Sequence, residues 1–347
     1  MDFNKYYEKL PKKIKESEKI LLYCIKLSKK LRKISRKKPI QPNNTMNFLF
    51  KHTNIETKGP FRQTQIIYTE LLKFIDNICE KYDLDYFLGY GTLLGAYRHN
   101  GFIPWDDDCD IIMMREDYNK FLEILPQEIN QYDYLKEEIA VTRLIGAKEN
   151  YFKEFNTIYD ESLGHFDFYD KTNDAHKLFL QIGFIKPLIK LDIFTYEYLK
   201  EEYVNYYNDY YLGHKLYFRK LLLKPDFSFE KEYNERYQKL GFTLHETKYI
   251  GEGLDGSDVD NFGAYETDII LPTKRITFEN YSLKCPNKPQ ELLKIWYGET
   301  YMDIPSELDI HDYIPYSRTL FKSEDEMENK FNEIIENLRE INTNFKK

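Results

Sequence analysis

Residues 89–121, GYGTLLGAYRHNGFIPWDDDCDIIMMREDYNKF, decide the fold that we expect for this chain. A glycine-rich turn, GYGT (89–92), follows a short apolar strand and leads into a helix that runs through Arg98. The acidic run WDDDCD (105–110) then enters an apolar strand of the kind that is buried on both faces of a sheet. Strands and helices alternate here and further along the chain. This pattern predicts an α+β fold with a mixed β-sheet core packed with helices.

The acidic run places several carboxylates on one face of an extended strand. Because residues two apart point to the same side, Asp106, Asp108 and Asp110 share a face, whereas Asp107 and Cys109 point away. Asp108 and Asp110 lie about 7 Å apart along a strand, and two such acids repel each other unless a cation lies between them. Oxygen ligands of this type suit Mg²⁺ or Mn²⁺. A helix cap or a solvated loop is the alternative, and the strand that follows disfavours the cap.

A further acid lies on a second apolar strand, LIKLDIF (188–194). Ile189, Leu191 and Ile193 share one face of that strand, which leaves Asp192 on the other. A lone acid at a strand edge is the alternative interpretation. We expect Asp192 to act together with the acidic run.

Anion binding is expected near the glycine-rich turn. Backbone N–H groups at a strand-to-helix turn can bind a phosphate, and the helix dipole favours the negative charge. A guanidinium group also matches paired phosphate oxygens. A structural role in tying the loop to the acidic run is an equal alternative for the basic pair after the helix. The candidate substrate-binding residues are Gly91, Thr92, Arg98, His99 and, on position alone, Arg143 and Lys274.

Composition narrows the class of protein. The chain has 347 residues, of which 42% are hydrophobic, so a substantial core is expected. Its four cysteines are scattered, which disfavours a zinc site and a disulfide framework. We find no pattern typical of a signal peptide or a membrane-spanning helix. These features together predict a cytoplasmic protein.

Charge is distributed unevenly along the chain. Residues 1–38 contain fourteen Lys or Arg against four Asp or Glu, a net charge of +10, so the rest of this −8 chain carries −18. An acidic body repels nucleic-acid phosphates, so we expect no nucleic-acid partner. Residues 5–38 have a single apolar seam surrounded by lysines. Such a helix can contact an anionic membrane surface, bind a partner or dock on its own domain.

The chain divides into four predicted segments and includes one predicted hairpin. The hairpin is KRITFENYSL (274–283), with Glu279 and Asn280 at its tip. The segments are a basic amphipathic helix (1–40), a linker (41–60), a catalytic domain (61–320, with 145–260 as a variable acceptor region) and a C-terminal helix (321–347).

The motif GTLLGA, followed by RH, GFIPWDDD and DI within residues 89–121, resembles the core of the LicD family, which includes fukutin and fukutin-related protein. Two further segments are similar to that family. One is LDIF (191–194), and the other is LPTKRITFENYSLKCPNKPQELLKIWYG (271–298). The resemblance extends over roughly residues 62–305, so the basic N-terminal segment lies outside it. Cys109 and Tyr97 depart from the residues common in the family.

The resemblance implies a nucleotidyltransferase-like fold and a metal-dependent phosphotransferase. Such an enzyme transfers a phosphorylated alcohol, of the phosphocholine or the ribitol or glycerol phosphate type, from a CDP-linked donor to a cell-surface glycan and releases CMP. It implies Asp108, Asp110 and Asp192 as catalytic residues and as ligands of Mg²⁺ or Mn²⁺. A plain nucleotidyltransferase that releases pyrophosphate and a non-catalytic scaffold for glycan assembly are the alternatives.

Overall fold

The computed structural model describes residues 43–52, 57–142, 179–184, 186–187, 189–221, 229–254, 263–305 and 317–346. The predicted basic helix (1–40), Arg143 and part of the predicted acceptor region lie outside the described residues. Within the described ranges, no helix is both long and apolar enough to cross a bilayer.

Helices and strands alternate through most of the described chain. In order they are α1 (Asn44–His52), α2 (Gly59–Lys81), β1 (Phe87–Leu88), α3 (Tyr90–His99), β2 (Asp110–Met114), α4 (Arg115–Ile129), α5 (Asp133–Glu138), β3 (Ile139–Thr142), β4 (Leu180–Phe184), β5 (Ile189–Leu199), a 3₁₀ turn (Glu201–Tyr203), α6 (Val204–Leu221), α7 (Phe229–Lys239), β6 (Phe242–Thr243), β7 (Tyr249–Glu252), β8 (Tyr265–Glu266), α8 (Thr267–Ile270), β9 (Lys274–Phe278), β10 (Tyr281–Cys285), α9 (Pro289–Tyr297) and α10 (Glu324–Thr343).

The main sheet is mixed and has β5 at its centre. Its principal strand order is β1-β2-β5-β4-β3, and β2 pairs with β5 in parallel while the other pairs along this order are antiparallel. β5 is long enough to serve two sets of partners. Its first half pairs with β4, and its second half pairs with β6 and β7. The mixed sheet and its packed helices confirm the predicted α+β class.

Helices α2 and α10 pack against each other and share the main core. Apolar positions of α2 such as Ile67, Leu71 and Ile78 are fully buried, as expected for a helix with one core-facing stripe. Phe331 and Leu338 of α10 lie in the same core cluster. Ser323 caps the start of α10, because its hydroxyl accepts a hydrogen bond from the backbone N–H of Glu326 at 3.1 Å. The C-terminal helix is therefore integrated with the core.

Helix α1 lies inside the segment that we predicted to be a linker. The side chain of Asn43 accepts a hydrogen bond from the backbone N–H of Met46, which caps the helix. Asn43 and Asn47 also form hydrogen bonds with the backbone of Ile304. The linker prediction missed this helix, which has an apolar side of its own and a contact far along the chain at Ile304. The domain boundaries stay a prediction.

The predicted hairpin is confirmed. β9 and β10 form an antiparallel pair in which Phe278 lies opposite Tyr281, so Glu279 and Asn280 make a two-residue tip. Glu279 has a φ of 52°, a left-handed conformation that most side chains avoid. The strand predicted over 188–194 continues to Leu199. Pairing with β7 extends β5 through these additional residues.

Candidate active site

Two of the predicted carboxylates lie directly opposite each other on neighbouring strands. Asp110, the first residue of β2, is the register partner of Asp192 on β5, and the two strands are parallel. The backbone N–H of Asp192 donates to the carbonyl oxygen of Cys109 at 2.9 Å. Register partners on adjacent strands project from the same face, about 4.8 Å apart. Both residues are half-buried, so the pair lies at a surface that solvent reaches.

The acidic run alternates between buried and half-buried residues before the strand begins. Asp106, Asp108 and Asp110 are half-buried, whereas Asp107 and Cys109 are buried. This alternation matches the predicted faces, although regular strand pairing starts only at Asp110. Burial, followed by the nearby Asp108 carboxylate and its hydrogen bond, raises the pKa of Asp106 well above its usual range. The raised pKa of Asp106 therefore follows first from its burial and then from a second acid nearby.

The glycine-rich turn brings the start of α3 against these acids. The N–H of Gly89 donates to the carbonyl of Asp110 at 2.9 Å. At Gly91, a Cβ atom would lie only 2.9 Å from Oδ2 of Asp106, so a side chain there would displace the acid. Tyr90, between the two glycines, has a φ of 35° and packs its ring on Phe194. Its ring also packs on Trp296, at a centroid distance of 4.8 Å.

Thr92 ties the turn to the first residue of β2. Its hydroxyl accepts a hydrogen bond from the N–H of Asp110 at 2.9 Å, and its side chain is buried. The contact fixes the strand's first carboxylate relative to the helix start. Thr92 thus has a positioning contact in this structure, and its predicted phosphate contact stays a prediction.

Arg98 and His99 form a connected pair at the end of α3. The Nε of Arg98 donates to Nε2 of His99 at 2.9 Å, and its Nη1 donates to the backbone carbonyls of Tyr301 and Asp303. Burial, and then the positive charge of Arg98, lowers the pKa of His99 to about 4. His99 is therefore neutral at pH 7 and acts as an acceptor that orients Arg98. Burial lowers the pKa of the Arg98 guanidinium, and the nearby Tyr297 and Asp106 partly oppose that shift.

The loop that carries the acidic run is fastened at two points. The side-chain amide of Gln65 on α2 donates to the carbonyl oxygens of Ile103 and Asp106. On the other side, the Glu279 carboxylate at the hairpin tip accepts from the N–H of Phe102 and from both terminal nitrogens of Arg62. The hairpin thus supports the site from outside the sheet.

Two residues that we did not predict lie at the site. Gln181 on β4 is the register partner of Asp192 on its other side, and its Nε2 donates to Oδ1 of Asp192 at 2.7 Å. Tyr297 ends α9. Burial of its hydroxyl, and then the carboxylates of Asp110, Asp106 and Asp108, raise its pKa, although 37% of the residue is exposed. The segment 271–298 that resembles the LicD family contains Tyr297, whereas no motif includes Gln181.

The structure does not place the other two predicted basic residues at the site, and it leaves the metal ligands untested. Arg143 lies outside the described residues, and Lys274 is an exposed residue of β9. Within the described ranges, no group of three or more His, Cys, Asp or Glu side chains has an arrangement that would hold a metal ion. Gln181 engages one oxygen of Asp192, and Asp106 and Asp108 interact with each other. The metal-ligand set therefore stays a prediction.

Residues 83–184 match the family model described as "LicD/FKTN/FKRP, nucleotidyltransferase domain". Over these residues the chain is similar to the LicD family. The matched region begins before β1 and ends with β4, so it includes Asp108, Asp110 and Gln181. Asp192 follows it on β5, and the parallel register brings that acid beside the matched region.

Three curated relatives are similar to part of this chain. The Haemophilus influenzae protein "Lipopolysaccharide cholinephosphotransferase LicD" is 44% identical over 75 residues, which cover 22% of this chain and 28% of that protein. An uncharacterized protein of Rickettsia typhi is 48% identical over 58 residues, covering 17% of this chain and 19% of its own length. A Rickettsia prowazekii counterpart is 47% identical over 58 residues, covering 17% and 22%. The chain thus matches less than a third of each relative.

Proposed function

We propose that this chain is a metal-dependent phosphotransferase that moves a phosphorylated alcohol from a CDP-linked donor to a cell-surface glycan and releases CMP. The observation that carries the proposal is the Asp110–Asp192 pair on neighbouring parallel strands, beside a glycine-rich turn, in a chain that is similar to the LicD family. The name of the Haemophilus relative favours phosphocholine as the transferred group. Ribitol phosphate and glycerol phosphate are the alternatives.

In the proposed reaction a hydroxyl oxygen of the acceptor forms a bond to the phosphorus that bears the alcohol. The bond between that phosphorus and the bridging oxygen of the diphosphate breaks, and CMP leaves with the electron pair. The hydroxyl proton passes to a base, for which we propose the Asp192 carboxylate. Asp192 is half-buried beside Asp110, so solvent and a substrate hydroxyl can reach it.

The residues around the turn would bind the diphosphate of the donor. The start of α3 provides backbone N–H groups and the positive end of a helix dipole. Arg98 is the cation near the acids, held by His99 and by two carbonyl groups. A neutral His99 adds no charge of its own. We therefore assign the electrostatic part of donor binding to Arg98 and a positioning part to His99.

The chemistry of the acids, rather than their arrangement in this structure, suits a hard divalent cation. Asp108, Asp110 and Asp192 offer carboxylate oxygens, and burial together with the neighbouring Asp108 carboxylate raises the pKa of Asp106 beside them. We propose these three acids as the residues that would hold Mg²⁺ or Mn²⁺. When bound, such an ion neutralises charge on the diphosphate and stabilises the charge that develops on the leaving group.

Two other functions make different predictions from the same site. A plain nucleotidyltransferase would use CTP and release pyrophosphate instead of CMP. A non-catalytic scaffold would bind a glycan without any turnover. Two half-exposed acids that face each other repel, which costs folding free energy. A scaffold gains nothing from that cost, so the pair favours catalysis.

The test is a panel of donors with a defined product. The purified chain is incubated with CDP-choline, CDP-ribitol, CDP-glycerol or CTP, with and without Mg²⁺, and each mixture is repeated with a glycan extract. We expect CMP from one CDP-alcohol, increased by the extract and abolished by EDTA. The Asp110→Asn variant should remove this product, and the exposed Asp83→Asn variant should retain it.

Three results would contradict the proposal. Absence of metal-dependent CMP from every donor, with and without extract, would exclude the phosphotransferase reaction. Pyrophosphate from CTP would support the plain nucleotidyltransferase. Glycan binding that is unchanged in Asp110→Asn, with no turnover of any donor, would support the scaffold.

A further inference from the structure

Gln181 completes a row of three side chains that crosses three strands at the candidate site. Asp110 on β2, Asp192 on β5 and Gln181 on β4 are successive register partners, so all three project from the same face of the sheet. Gln181 is only 6% exposed, and its Nε2 donates to Oδ1 of Asp192 at 2.7 Å. Asp192 is thus flanked by an acid on one side and by an amide donor on the other.

We propose that Gln181 is a positioning residue that fixes the Asp192 carboxylate for cation binding, an inference that rests on the proposed function. A hydrogen bond to one carboxylate oxygen restricts rotation of the group about its terminal bond. It also favours the charged form, since a donor stabilises the anion. Donors of this kind around a ligating carboxylate commonly control metal affinity.

The chemistry of the amide explains why glutamine suits this position. A lysine beside Asp192 would form an ion pair and compete with a cation for the carboxylate. A glutamate would add another acid to a row that already contains two. Glutamine donates a hydrogen bond and carries no charge, so it orients Asp192 and leaves its negative charge available.

A purely structural role for Gln181 predicts a different result. If the hydrogen bond between Gln181 and Asp192 served only to stabilise the fold, its loss would destabilise the protein whether or not a cation binds. In that case a substitution would lower the melting temperature without changing the affinity for a cation. Metal affinity, measured separately from stability and from turnover, therefore distinguishes the two roles.

The experiment measures Mn²⁺ binding to the full chain by the loss of the free-ion signal in electron paramagnetic resonance. Gln181→Met removes the donor and keeps an unbranched side chain of similar length. Gln181→Asn keeps an amide but shortens its reach by one C–C bond, about 1.5 Å, so this variant decides the question if the first does not fold. Gln127→Met, on the exposed face of α4, is the matched control, and Asp192→Asn is the reference for loss of the site.

We expect both Gln181 variants to bind Mn²⁺ about 10- to 100-fold more weakly than the unmodified chain, and Gln127→Met to bind it equally well. Unchanged affinity in a folded Gln181 variant, with affinity lost in Asp192→Asn, would overturn the role of Gln181 and leave the proposed function intact. Absence of Mn²⁺ binding by the unmodified chain would instead overturn both the metal-dependent function and this inference.

Discussion

The repulsion between Asp110 and Asp192 can be measured as a coupling free energy in the metal-free protein. Parallel neighbours lie about 4.8 Å apart, and Coulomb's law at about 5 Å gives roughly 0.8 kcal/mol in water and 3 kcal/mol at an effective dielectric constant near 20. Because both residues are half-buried, we expect about 1–2 kcal/mol. Asp110→Asn and Asp192→Asn should each raise the free energy of unfolding in EDTA by about that amount. The double variant should gain hardly more than either single variant.

Denaturant unfolding of the unmodified chain, the two single variants and the double variant gives the double-mutant cycle directly. Asparagine at 192 retains an oxygen that can accept the Gln181 hydrogen bond, so the substitution changes little besides charge. Asp83→Asn is the control, because Asp83 is exposed and asparagine tolerates its φ of 53°. Additive effects of the two substitutions would refute the facing pair. So would destabilisation by either one, since a carboxylate with only favourable contacts loses stability when neutralised.

Three further predictions concern the surroundings of the site. Glu279→Gln removes the charge that binds Arg62, so the free energy of unfolding in denaturant should fall by about 1–2 kcal/mol at low salt and by less at high salt. An unchanged unfolding midpoint would contradict this prediction. The pKa of His99 is lowered to about 4 from 6.5, so the folded state binds fewer protons between these values and stability falls as the pH drops through that window. Solvent reaches part of the ring, so we expect the free energy of unfolding to fall by about 1–2 kcal/mol between pH 7.5 and pH 5. The His99→Gln variant should lack this fall, and an equal fall in the variant would contradict the role of His99. Burial, and then Asp85, raises the pKa of Asp117 to about 6, so stability falls as the pH rises from 4 to 6. The Asp117→Asn substitution should raise the free energy of unfolding by about 1 kcal/mol at pH 7.5 and by little at pH 4. Equal increases at both pH values would refute the assignment.

The sequence was sufficient to predict which acids share a face, because strand alternation is a local property. The period of two that separates Asp108 and Asp110 from Asp107 reappears as alternating burial. The same rule placed Asp192 on the polar face of its strand. The register that sets Asp110 opposite Asp192 is a long-range property, because it depends on how two distant strands pair. Only the structure supplied it.

Residues that act through tertiary contacts were missed for a physical reason. Gln181 lies in the strand LQIGF, and its role depends on β4 pairing with β5 in one register. Helix α1 lies in a segment that we predicted to be a linker, and its contacts with Ile304 join residues that are far apart in the sequence. Glu279 was predicted at the tip of a hairpin. Its support of the acidic loop follows from the docking of that hairpin beside Phe102.

Buried and paired strand residues hold the two charged side chains of the site in fixed positions. Asp110 is the first residue of β2, and Asp192 lies within β5. The next residues, Ile111 and Ile193, are fully buried and paired with each other, so the two strands cannot move apart to relieve the repulsion between the acids. Thr92 holds the N–H of Asp110, and Gln181 holds the carboxylate of Asp192. A cation or a charged substrate group that enters this frame meets acids already in place, so little binding energy is lost to reorganisation. Packing of the core therefore offsets the repulsion between the two acids in the free protein, and a bound cation would remove that repulsion.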